Sequence, residues 1–159
     1  MSLRNKWRSY LTLPPADRRA VLIAAFWLPI TAQMLRLAGL RRTQGFLSRF
    51  LNSSSAHPTM REGLATNRAL RIAQLVRMAV RNGFGSPNCL AESVVLWFML
   101  RRRGMAGNLR IGVSKEEGRF EAHAWVEFEG VALNAAFELL KGVASTPLFD
   151  TSSMAWLQV

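Results

Sequence analysis

The chain has 159 residues, half of them hydrophobic and 19% charged, which suits one folded domain and excludes a disordered chain. Its 21 Lys and Arg against 10 Asp and Glu give a formal charge of +11, a surface that attracts acidic peptides, polyanions or anionic headgroups. A single cysteine, Cys89, excludes an internal disulfide, and with only His57 and His123 as imidazoles no metal-ligand spacing appears, so neither a metal nor a cofactor is expected.

Residues 1–8 are basic, but Pro14, Pro15, Asp17, Arg18 and Arg19 precede the apolar run, which is not the pattern of a secretory signal. Asp17 is placed to cap a helix that begins there. Residues 20–32 carry no charge, contain Pro29, and are followed by Arg36, Arg41 and Arg42. A membrane span wants roughly 20 apolar residues. A buried helix or helix pair is therefore expected, and the basic flanks keep an interfacial helix and a span as alternatives. Residues 51–58 form a polar stretch with no apolar period, and His57 reads there as a solvated loop histidine. The expected organisation is a helical N-terminal region over 1–52, membrane-proximal in the interfacial reading, a linker over 53–60, and a core over 61–159.

From Thr66 the period is helical. Leu70, Ala73, Val76, Met78 and Val80 interleave with Arg68, Arg71, Arg77 and Arg81, giving an amphipathic helix with a solvated basic face that ends at Asn82-Gly83. Ser86-Pro87 opens the next helix, Ser86 as N-cap and Pro87 as the first helical residue. Cys89 falls in its first turn, where the positive end of the helix dipole favours a nucleophilic thiolate; a buried structural thiol is the alternative. The helix is apolar almost all round, so it is central, and it stops at Arg101-Arg102-Arg103-Gly104.

The period then changes to two. Leu109, Ile111 and Val113 alternate with polar or small residues, and residues 115–118 turn the chain. Phe120, Ala122, Ala124, Val126 and Phe128 alternate with Glu121, His123, Trp125, Glu127 and Glu129, and Gly130 leads into residues 131–134. An antiparallel meander of three strands follows, with His123 mid-strand opposite the small apolar face. A Cys at a helix start and a His in the following sheet is the layout of papain-like and transglutaminase-like cysteine enzymes: the imidazole takes the thiol proton and later protonates the leaving amine. The fold class expected is α+β, a central helix packed on an antiparallel sheet with a helical N-terminal half.

Four blocks in order, Asn88-Cys89-Leu90-Ala91-Glu92-Ser93-Val94-Val95-Leu96-Trp97, Leu100-Arg101-Arg102-Arg103-Gly104, Leu109-Arg110-Ile111-Gly112-Val113 and Ala122-His123-Ala124-Trp125-Val126-Glu127, resemble the stand-alone transglutaminase-like leader peptidases of bacterial lasso-peptide biosynthesis, the type that processes microcin J25. The resemblance implies a cytoplasmic cysteine peptidase, in the interfacial reading peripheral to the inner membrane. It would remove the leader from a ribosomally made precursor peptide before cyclisation. It also implies two protein partners, a separate winged-helix leader-recognition protein and an ATP-dependent lasso cyclase, and no nucleic acid. Such enzymes usually carry an aspartate about a dozen residues after the His to orient the imidazole. Here Ala135 stands twelve residues on and Asn134 eleven, while the only aspartates are Asp17 and Asp150. Asn134 is the expected third catalytic residue beside Cys89 and His123, with Glu127, Glu129 and Glu138 as weaker candidates. The alternative function is a catalytically weak or degenerate relative acting as a basic peptide-binding module.

Overall fold

The computed structural model describes residues 12–51, 62–82, 88–116, 119–134 and 149–150, with no account of side chains for Glu62, Val113, Ser114, Lys115, Glu116, Arg119, Phe120, Glu121, Phe149 and Asp150. Three helices, α1 (Pro15–Ser48), α2 (Glu62–Asn82) and α3 (Cys89–Arg101), are followed by strands β1 (Asn108–Glu116), β2 (Arg119–Phe128), β3 (Val131–Ala132) and β4 (Phe149–Asp150). The strands form one antiparallel sheet in the order β3-β2-β1-β4. The α+β reading holds. The meander gains a strand that periodicity did not disclose: β4 pairs with the far edge of β1 through Arg110↔Asp150 and Ile111↔Phe149. A two-residue strand is too short to show alternation.

The apolar stretch near the N-terminus becomes a helical hairpin. Gly39 breaks α1 with φ 76° and ψ 174°, a conformation open essentially to glycine alone. Along a straight helix Trp27 and Phe46 would lie about 28 Å apart. The break instead brings their ring centroids to 6.5 Å, and Phe50 and Phe98 of α3 lie 5.4 and 5.2 Å from Trp27. The buried Thr43 hydroxyl donates to Gly39 O at 2.8 Å and secures the corner. Pro29 sits inside the first arm, on its exposed side. Asp17 is not a cap, contrary to expectation: Pro14 occupies the N-cap without a side-chain bond, and Asp17 Oδ2 accepts from Arg71 Nη2 at 2.7 Å and Nε at 3.1 Å. A cation within reach on α2 outcompetes the helix's own N–H groups for the carboxylate.

The helix α2 starts four residues before Thr66 and ends at Asn82, as its period implies; Gly83 lies outside the described residues. Its buried face is Ala65, Ala69, Ile72, Ala73, Leu75, Val76 and Ala79, and the four alanines let it approach α1 and α3 closely. Four of its arginines are exposed, but the face is more than solvated: Arg71 holds Asp17, and Arg77 Nη2 donates to Asn134 O at 3.2 Å.

The helix α3 is the centre of the molecule. Ala91, Val94, Val95, Leu96, Phe98, Met99 and Leu100 are all within 1% of full burial. One continuous apolar core joins the six from Val94 to Leu100 to Ala24, Leu28 and Leu47 of α1, to Val76 of α2, and to Leu109, Val126 and Phe128 of the sheet. Its start differs from expectation. Asn88 is the N-cap, its Oδ1 accepting from Ala91 N at 2.9 Å, and Cys89 is the first helical residue; Ser86 and Pro87 lie outside the described residues. Asparagine caps as well as serine, and it stands two residues nearer the apolar run. At the other end Gly104 takes φ 74° and Met105 N donates to Leu100 O at 3.1 Å, closing the helix.

Strands β2 and β3 meet in a two-residue turn whose central residues, Glu129 and Gly130, have φ 50° and 75°. Two positive φ values in succession give the turn whose twist matches the strands it joins.

Candidate active site

Cys89 is exposed at the first position of a buried helix. The buried structural thiol is therefore excluded. Its Sγ donates to the carbonyl oxygen of Ala122 at 3.8 Å. Ala122 directly precedes His123, so the thiol reaches β2 one residue from the imidazole.

How it gets there follows from two rises. Four residues of helix advance about 6 Å and two residues of strand about 6.7 Å. Cys89 and Ser93 are four apart on α3; Ala122 and Ala124 are two apart on β2. The second pair also meets: the buried Ser93 hydroxyl donates to Ala124 O at 2.9 Å. Thus α3 lies along the outer edge of β2, the edge that β3 covers only at Glu127 and Phe128. Backbone groups on that edge would otherwise lack strand partners, and buried ones are costly to leave unmade.

Asn134 completes the seam. Its Oδ1 accepts from Val126 N at 2.9 Å, and its Nδ2 donates to Ser93 Oγ at 2.9 Å. Val126 O in turn accepts from Leu133 N at 2.9 Å. Along one edge of β2 the partners therefore run Asn134, Ser93, Cys89 on Val126, Ala124, Ala122. Both hydrogen bonds of the Asn134 amide go to this seam and neither goes to His123.

His123 lies in the middle of β2, half-buried, opposite Gly112 of β1. Residues directly opposite in an antiparallel pair share a face, so Gly112 places no side chain beside the imidazole. Ala124, Val126 and Phe128 point into the core, and His123, Trp125 and Glu127 leave the strand on the other face. Thiol and imidazole therefore approach β2 from its edge and from its far face.

Two of the weaker candidates, Glu127 and Glu129, have other partners. Glu127 Oε1 pairs with Arg110 Nη2 at 3.4 Å, and Glu129 accepts from the Thr66 hydroxyl. Ala135, Glu138 and His57 lie outside the described residues. Ser93 carried no expected role. Its signal was present: it is the one small hydroxyl residue in an apolar helix, and it sits four residues after Cys89. Glu92 is partly buried beside the thiol's turn; burial raises its carboxyl above the ordinary value, against the attraction of Arg77 and then Arg81. Among the described residues no three His, Cys, Asp or Glu side chains gather as a metal site requires.

At the start of α3 the cap takes the N–H of Ala91, and Glu92 N donates to Asn88 O at 3.2 Å. The N–H groups of Cys89 and Leu90 precede that ladder and face out of the helix end. An exposed thiol, a neighbouring imidazole and two outward N–H groups can perform acyl transfer.

A family model, that of the transglutaminase-like superfamily, matches residues 30–146. The match begins inside α1 and includes Cys89, Ser93, His123 and Asn134. No curated protein and no solved structure matches the chain.

Proposed function

Because the chain belongs to the transglutaminase-like superfamily, which includes cysteine peptidases, we propose that it is a cysteine peptidase and that it removes the leader from a ribosomally made lasso-peptide precursor. The observation that carries the peptidase reading is the Cys89 thiol, exposed at a helix N-terminus and 3.8 Å from the carbonyl next to His123. The four sequence blocks from Asn88 to Glu127 support the choice of substrate.

In this mechanism His123 accepts the thiol proton and the Cys89 sulfur attacks the scissile carbonyl carbon. The oxyanion is received by the N–H groups of Cys89 and Leu90. The C–N bond breaks as His123 returns the proton to the departing amine, leaving a thioester. Water, deprotonated by His123, adds to the thioester; the thiolate leaves and is reprotonated, and the carboxylic acid is released. Asn134 serves as a positioning residue, acting through Ser93 and Val126 rather than by accepting the imidazole N–H. The winged-helix leader-recognition protein would bring the precursor to the site, and the ATP-dependent cyclase would consume the released core.

The second reading, a catalytically weak, basic peptide-binding module, is favoured by one observation: the asparagine beside the family's aspartate position is bonded to the seam and not to the imidazole.

The test is leader release, followed by mass spectrometry, from the precursor with the leader-recognition protein present. Cys89→Ala should abolish release without changing the thermal midpoint. His123→Ala should lower the rate by about 10²–10⁴-fold. Iodoacetamide should label Cys89 rapidly in the folded wild type. Release by Cys89→Ala at the wild-type rate would end the peptidase reading. Labelling of Cys89 without any release would favour the binding module.

A further inference from the structure

A helix that is apolar all round belongs in the interior. The first arm of α1 is apolar all round, yet only 28% of its most apolar window is buried. Its inner face, Ala20, Val21, Ala24, Leu28 and Thr31, is in the core. On the opposite side Leu22 is 58% exposed, Phe26 61% and Leu37 86%. At 100° per residue, Leu22, Phe26, Pro29 and Leu37 fall within one narrow stripe, about half a turn from the buried face.

The same stripe carries cations at both ends. Arg19 and Arg36 are exposed and lie on its two margins, about 26 Å apart along the axis. Arg41 and Arg42 are exposed just beyond the corner at Gly39. The one acidic residue among the described residues 12–51 is Asp17, and it is held by Arg71. An apolar stripe bracketed by arginines, with no carboxylate of α1 on it, matches a layer of hydrocarbon under anionic headgroups.

We propose that this stripe docks the protein on an anionic membrane surface, with α1 lying in the plane of the interface. The in-plane orientation is chosen over a span because α2, which packs on the inner face, carries four exposed arginines that a bilayer interior would have to bury. The inference stands on α1 and is independent of the chemistry at Cys89.

Vesicle flotation of the full chain tests it, with phosphatidylglycerol mixed into phosphatidylcholine in one arm and phosphatidylcholine alone in the other. The chain should float with the anionic vesicles, poorly with the neutral ones, and less as salt is added. Phe26→Glu and Arg36→Glu should each reduce flotation by about tenfold or more, with the thermal midpoint and Cys89 labelling unchanged. Four outcomes would overturn the proposal. Two of them are wild type failing to float and Phe26→Glu floating as wild type does. A third is a dimer in light scattering that Phe26→Glu dissociates, which would make the occupant a second copy. Finally, a thermal midpoint lowered by Phe26→Glu, with Arg36→Glu floating as wild type, would place the chain's own residues on the stripe.

Discussion

Ser93 and Asn134 hold the thiol's helix to the imidazole's strand with three hydrogen bonds, each 2.9 Å long. Ser93 is fully buried, so its loss takes a hydrogen-bond partner from Ala124 O and from the half-buried Asn134 Nδ2. Ser93→Ala should cost about 1–3 kcal/mol of stability, the usual penalty for such stranded groups. Asn134→Ala should cost a similar amount, since Val126 N loses its acceptor. Asn134→Asp keeps an acceptor for Val126 N but cannot donate to Ser93, so part of the cost remains. Denaturant unfolding gives the stabilities, and leader release by each variant tells positioning from mere support. A positioning role lowers the maximal cleavage rate and leaves the Michaelis constant unchanged, in conditions where the variant is still folded. An Asn134→Ala chain as stable and as active as wild type would remove the residue from the site.

The corner of α1 and the length of α3 each follow from a single residue's conformational freedom or its cap. At Gly39 a Cβ would meet no atom within 4 Å, so sterics with neighbours do not explain the glycine; its backbone angles do. Gly39→Ala should cost about 1–3 kcal/mol, the price of a side chain in that region. Gly45 offers the control: it also has open space around it, but it sits within the helical second arm. Gly45→Ala should be neutral or stabilise by up to about 1 kcal/mol, because alanine loses less entropy in a helix. Thermal unfolding of the two variants should therefore move in opposite directions. Two equal shifts would mean that the corner at Gly39 is not what holds Trp27 against Phe46 and Phe50.

Across the molecule, α1, α2, α3 and the sheet share one core, and Glu92 marks where α2's arginines meet α3. Burial lifts its carboxyl above the 4.5 of the open chain, so the folded state holds this proton more tightly than the unfolded state. The associated stability is complete below that value and is lost as pH rises through the raised one. Wild type should thus lose stability relative to Glu92→Gln as pH rises from about 4.5 through the raised value, an effect that solvent screening of the partly exposed group keeps small. A difference in thermal midpoint that stays constant across that window would exclude the effect. The sequence by itself determined α2, α3, β1 and β2 and singled out Cys89 and His123 as candidates, because period and residue type are local properties. The 3.6 and 2.0 periods place α2, α3, β1 and β2, and a lone cysteine before an apolar helix together with one histidine in a strand is readable without coordinates. What Asn134 bonds to, which face of α1 stays outside, and where β4 pairs were decided only by the tertiary structure. Each depends on groups far apart in the chain: Val126 N and Ser93 Oγ take the two ends of the Asn134 amide, and α2 and α3 cover one side of a helix that is apolar on both. Spacing along a sequence carries no record of those contacts.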